Sequence, residues 1–172
     1  LHPRPLSGAS AGGLLTAPVV SVAVLAWMAG NPFNGLLFVL LAAAMIALAV
    51  HYRHRTFHPG RDWLVFPGGL LVVFGWVYPH FTDVSTVAEY LYAAPTGLIP
   101  CPTLSVTIGL SMLLGLARLR AWSLVLGAAG LLYGVYGAVR LGVALDWVLL
   151  AGALLLCAVG LARRQGHRGA AA

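Results

Sequence analysis

Cys101 lies between two prolines in the run Pro95-Thr96-Gly97-Leu98-Ile99-Pro100-Cys101-Pro102-Thr103-Leu104-Ser105. Proline has no backbone N–H, and its ring clashes with the preceding helical turn. Pro100 and Pro102 therefore break any helix here, and they push Ile99 and Cys101 toward extended geometry. Backbone freed inside hydrocarbon must be buried in protein or face a water-filled cavity, which makes this stretch the place where a site would be built. His80, Asp83 and Glu89 fall in the loop that precedes it. Thiol, imidazole and carboxylate are metal-ligand types, so Cys101, His80, Asp83 and Glu89 form one candidate metal constellation. The plainer alternative has Cys101 as a small buried hydrophobe and His80 as a polar group in a wet loop.

Other groups carry weaker chemistry. His51, His54 and His58 follow i, i+3, i+7 spacing and would share a helix face. The interleaved Arg53 and Arg55 repel cations, however, and contact with anionic lipid accounts for the run equally well. No histidine lies mid-span, which argues against haem held between helices. No Gly-x-Ser-x-Gly, His-Glu-x-x-His or phosphate-binding glycine loop occurs. No enzyme activity and no cofactor are expected. No span interior carries an acid, and Asp146 is expected to pair with Arg140 across a short turn.

The elements that must position these residues are membrane helices. Of 172 residues, 60% are hydrophobic and only 8% charged, against about 25% charged in a soluble domain. Six apolar spans are predicted, at roughly 14–30, 34–51, 63–79, 96–117, 121–141 and 145–163. Each approaches the ~20 residues that cross a bilayer. With both termini cytoplasmic, nine of the ten arginines fall inside, Arg140 being the exception, and Asp83, Glu89 and Asp146 fall outside. That is the bias of the positive-inside rule. The predicted fold is thus all-α, a polytopic transmembrane bundle of six spans in the bacterial inner membrane, with the fourth span broken at Pro100-Cys101-Pro102. Residues 1–13 and 164–172 are expected to be disordered tails around a 14–163 helical domain. Arg4 followed by an apolar run to Ala29 also has the outline of a signal peptide, but the topology closes better with that segment retained.

Basicity in so apolar a chain points to lipid headgroups rather than nucleic acid. Thr86-Val87-Ala88-Glu89 matches a capping box and predicts a short surface helix over 87–92. Cys157 lies roughly 16 Å down the last helix by rise per residue, too far from Cys101 for the ~7 Å that a disulfide spans. Gly127, Gly130, Gly134 and Gly137 recur at 3-4-3 spacing and line one face of the fifth span. Such a face lets two helix backbones approach closely, either within the bundle or against a second copy or another membrane subunit.

A cysteine beside proline in a broken membrane helix resembles the Cys-Pro element of heavy-metal pumps, a likeness that ends at the dipeptide. A broader one starts at Tyr78-Pro79-His80 and continues through Gly97-Leu98-Ile99-Pro100-Cys101-Pro102-Thr103. Over about residues 34–163 the chain resembles a family of bacterial six-span membrane proteins of unassigned function, marked by Pro-Cys-Pro-Thr at the head of the fourth span. The resemblance implies the six-span plan and supplies no reaction. The expected role is a non-catalytic accessory or scaffold subunit packed against a larger membrane complex through glycine-lined faces. The alternative is a small transporter or metal-handling protein using the Cys101 constellation.

Overall fold

A computed structural model describes residues 5–58, 63–78, 86, 88–89 and 94–166, with side chains to residue 162. Among the described residues the chain is mostly helical, at 78%, with six α-helices. They are α1 (Gly8–Met28), α2 (Pro32–His51), α3 (Val65–Val77), α4 (Pro100–Leu113), α5 (Arg120–Val135) and α6 (Asp146–Gly166). Two-residue strands β1 (Leu6–Ser7) and β2 (Thr56–Phe57) pair antiparallel, Leu6 with Phe57 and Ser7 with Thr56. The all-α expectation therefore holds, apart from this short ladder. Among the described residues three helices are long and apolar enough to cross a membrane: Gly8–Met28, Pro32–His51 and α5 with its extension, Arg120–Arg140. Val65–Val77, Pro100–Leu113 and Asp146–Ala162 are apolar but shorter.

The helices associate as three neighbouring pairs, α1 with α2, α3 with α4 and α5 with α6. Helix α4 runs through the middle and also touches α1, α5 and α6. Ten of its fourteen residues are buried, which is why it can carry polar side chains. Thr107 and Ser111 donate to the carbonyls of Thr103 and Thr107, at 2.7 and 2.8 Å, and Trp122 Nε1 donates to Ser111 Oγ at 3.0 Å. The Thr103, Thr107 and Ser111 hydroxyls each close on backbone one turn back, while the buried Ser105 Oγ has no hydrogen-bond partner among the described residues. Large apolar side chains face outward instead, including Phe66, Leu70 and Val73 on α3 and Leu154 and Leu161 on α6.

The glycine face of the fifth span packs within the chain. A Cβ built at Gly130 would lie 2.8 Å from that of Ala153, and one at Gly134 would lie 2.9 Å from the Leu150 Cα. The same atom at Gly127 would overlap Cys157 Sγ. Helix α6 thus fills the stripe, the intramolecular one of the two packings open to it. Both cysteines are free thiols.

Several expectations need correction. Residues 8–13 are not a disordered tail: α1 starts at Gly8, where Ser7 Oγ accepts from the Ser10 N–H at 3.1 Å. The glycines that suggested disorder let the helix start approach α2, since a Cβ at Gly8 would overlap the Tyr52 carbonyl and one at Gly12 the Ala49 side chain. At the other terminus α6 continues to Gly166, past the expected end of the helical domain at 163. The histidine run forms no helix face, because α2 ends at His51 and the chain then turns into β2. Pro100 and Pro102 also do not interrupt α4. They open it, with Ile99 extended at φ −123°, ψ 140° and both prolines inside the first turn. Missing N–H groups cost nothing there, since first-turn donors have no helical partner. The irregular backbone is the segment 94–99 just before it.

Candidate functional site

The site is assembled around the Pro-Cys-Pro turn. Residues 95–99 form a tight turn in which the N–H groups of Leu98 and Ile99 both reach the Pro95 carbonyl, at 3.1 Å each. Gly97 sits at φ +85°, a left-handed conformation that suits glycine. Its N–H donates to Thr103 Oγ1 at 2.8 Å, and that hydroxyl donates on to the Ile99 carbonyl at 2.6 Å. Thr103 is fully buried, so it locks the non-helical entry onto the first turn of α4. Ser21 and Pro18 of α1 lie beside Gly97. As expected, the irregular backbone is covered by a neighbouring helix.

Cys101 then projects toward the first residue of α6. Its thiol lies 3.4 Å from Asp146 Oδ2, while the Tyr78 hydroxyl donates to Asp146 Oδ1 at 2.6 Å. Tyr78 ends α3 and is fully buried; Asp146 is 2% exposed. One carboxylate thus joins three helices, with a donor on each oxygen. Space for it comes from Gly137, the last member of the glycine stripe, where a Cβ would overlap Asp146 Oδ2. Gly137 lies in a π-helical turn, Tyr136–Arg140, that extends α5. Such turns recur at functional sites.

This overturns the expected Asp146–Arg140 pair: Arg140 is exposed, and Asp146 instead meets a phenol and a thiol. Sequence reasoning missed the acid because position 146 reads as a span end beside a turn. One usable signal was present. Tyr78 and Cys101 stand in the two stretches on which the resemblance was drawn, and both meet this carboxylate.

Of the four proposed metal ligands, His80 and Asp83 lie outside the described residues. Glu89 belongs to a 3-10 turn with Ala88, where its N–H reaches the Thr86 carbonyl at 3.1 Å. The Thr86 hydroxyl lies 3.5 Å from the Glu89 carboxylate; the rest of that predicted surface helix lies outside the described residues. Among the described residues no three His, Cys, Asp or Glu side chains cluster as a metal cage. His54 accepts from Arg53 Nε at 2.9 Å, and His51 packs edge-on against Tyr52.

Beside the turn, an open cleft of about 500 Å³ is lined by Leu98, Pro100, Asn31 and Asn34 with residues of α1. Asn34 Oδ1 accepts from the Tyr133 hydroxyl at 2.9 Å, and Tyr133 packs edge-on against Phe38 at 5.4 Å. The same end of the bundle therefore holds a second hydrogen bond that crosses between helices, from α5 to α2. Compared with protein-family models, with characterised proteins and with solved structures, the chain matches none of them.

Proposed function

We propose that the chain is a six-span membrane protein with both termini cytoplasmic, and that it handles a thiophilic divalent cation at the Tyr78–Asp146–Cys101 cluster. The carrying observation is the buried Asp146 carboxylate, held by a phenol and a thiol inside a bundle whose outer surface is apolar. An acid in such a setting is costly, and function is the default reason for keeping one. Three apolar helices of spanning length favour the membrane placement. The outward Phe66–Leu70–Val73 face favours lipid around the shorter α3 as well. The arginines at one end, Arg53, Arg55, Arg118 and Arg120, favour that end as the cytoplasmic one.

Cys101 and Asp146 supply one soft and one hard ligand, suited to zinc-like ions. Structural zinc sites close on four protein ligands. Two leave positions for water or an exchanging donor, which suits cargo in passage more than a resident ion. Tyr78 would orient the carboxylate. An accessory subunit would need a free packing face, and the glycine stripe proposed for it is occupied by α6.

The test is metal analysis, by mass spectrometry and zinc or cadmium equilibrium dialysis, on protein purified in mild detergent. Near-stoichiometric metal that disappears in Cys101→Ser and in Asp146→Asn is expected. Metal-free protein that binds neither ion, recovered in one large complex at fixed stoichiometry, would return the accessory-subunit role.

A further inference from the structure

The opposite end of the bundle carries a basic pocket that the cation site does not use. A cavity of about 320 Å³ opens between the segment after α2 and the α4–α5 link, lined by Arg55, Thr56, His58, Gly115 and Arg118 among others. Its walls are held in place from both sides. On one side β2 is clamped by β1, the Gly8 N–H donates to the Arg55 carbonyl at 2.8 Å, and Phe57 is buried in the core. The Arg55 guanidinium lies over the Tyr52 ring, 5.4 Å from its centroid, so the cation is partly ordered before any ligand arrives. On the other side α4 ends through Gly115 at φ +83°, and a Cβ there would lie 3.7 Å from the His58 carbonyl. That glycine turn seats Arg118 across the cavity from the Arg55 segment.

Helix α5 brings no acid of its first turn to this end, and it starts at Arg120 with no capping side chain. Its N-terminus carries the positive end of the helix dipole, and Arg118 and Arg120 add two cations to it. An acid would be the favoured neighbour at that position, and the sequence supplies arginine.

We propose that this pocket binds a phosphate oxyanion through the guanidinium groups of Arg55 and Arg118, with Thr56 and His58 as further hydrogen-bond partners. Arginine's planar fork suits phosphate oxygens, and the volume falls at the low end of small-molecule sites. The phosphate arrives either on an anionic lipid headgroup or on a soluble phosphate ester. This inference is independent of the cation site, since no residue is shared between the two.

The test uses the full chain in an uncharged detergent, with thermal unfolding followed as phosphatidylglycerol, phosphatidylcholine or inorganic phosphate is added. Phosphatidylglycerol is expected to raise the unfolding temperature where phosphatidylcholine does not. Apparent affinity is expected to be about tenfold weaker in Arg55→Gln, as for one lost charge-assisted contact, and unchanged in Arg53→Gln, outside the pocket. A response to phosphatidylglycerol alone identifies a lipid headgroup; a matching response to inorganic phosphate identifies a soluble ester. No response to either ligand, or one that survives in Arg55→Gln, overturns the proposal. Arg118→Gln is the second variant, and Arg55→Gln, on an exposed segment, decides the matter if Arg118→Gln does not fold.

Discussion

The two ends of the bundle treat charge in opposite ways. At the α6 start, a single acid is 2% exposed and meets two donors from two other helices. At the α5 start, arginines stand exposed around an open pocket, steadied by an aromatic ring and a strand pair rather than by burial. Burial makes the first end part of the fold, because removing either partner strands the other away from water. Exposure makes the second end separable from the fold, because water takes over whatever an arginine loses. Substitutions should therefore cost stability at one end and binding at the other.

The largest effect should come from filling the space that the acid end uses. Gly134→Leu and Gly137→Leu drive a side chain into Leu150 and Asp146 respectively. Each should destabilise by about 3 kcal/mol or more, the upper range for overpacking, seen as loss of the monodisperse peak in detergent. Next, Asp146→Leu leaves the buried Tyr78 hydroxyl without its acceptor and should cost about 1–3 kcal/mol, measured by unfolding in mixed micelles. Adding Tyr78→Phe should recover part of that loss. If the two losses simply add, the carboxylate and phenol are not coupled and the contrast between the ends weakens.

Ser111→Ala removes the acceptor of the Trp122 indole in the core and should cost about 1 kcal/mol, with a shift in tryptophan emission. Asn34→Ala, which removes the acceptor of the Tyr133 hydroxyl in a partly buried pair, should cost only about 0.6 kcal/mol, the usual worth of an interhelical hydrogen bond in membranes. Smallest of all, Arg55→Gln should change stability by less than about 0.5 kcal/mol in the absence of ligand. A large loss there would show that the arginine end is built into the fold after all.

Much of the helical plan was legible because hydropathy acts locally. Each apolar helix reports itself through its own residues, and Asn31-Pro32 marks a boundary through backbone chemistry that sequence displays; the predicted end of the fourth at 117 overran α4, which stops at Leu113. The α5 stripe was legible in position, and its partner was not, since 3-4-3 spacing says that something packs closely without saying what. The start of α1 was misjudged for a related reason. Gly8 and Gly12 look like disorder until α2 is seen against them. The acid cluster was the least legible feature, because it joins residues 68 and 45 positions apart in the chain. Only the choice of the Pro-Cys-Pro stretch anticipated it. The partners assigned to Cys101 from neighbouring sequence were not the ones that packing supplies among the described residues.

On the proposed membrane placement, helix α4 bears on how the protein is made. Fourteen residues rise about 21 Å, against about 30 Å of hydrocarbon, and four of the fourteen carry hydroxyls. Insertion as a single free-standing segment is a poor option for such a sequence. Helices α1 and α2 have length enough to enter lipid by themselves, but α4 gains its environment only when α1, α3, α5 and α6 surround it. Synthesis reaches α4 before α5 and α6 exist, so on that placement α4 completes its packing only once both have been made. The acid that starts α6 also meets the Cys101 thiol, so the site closes only after α6 has been made.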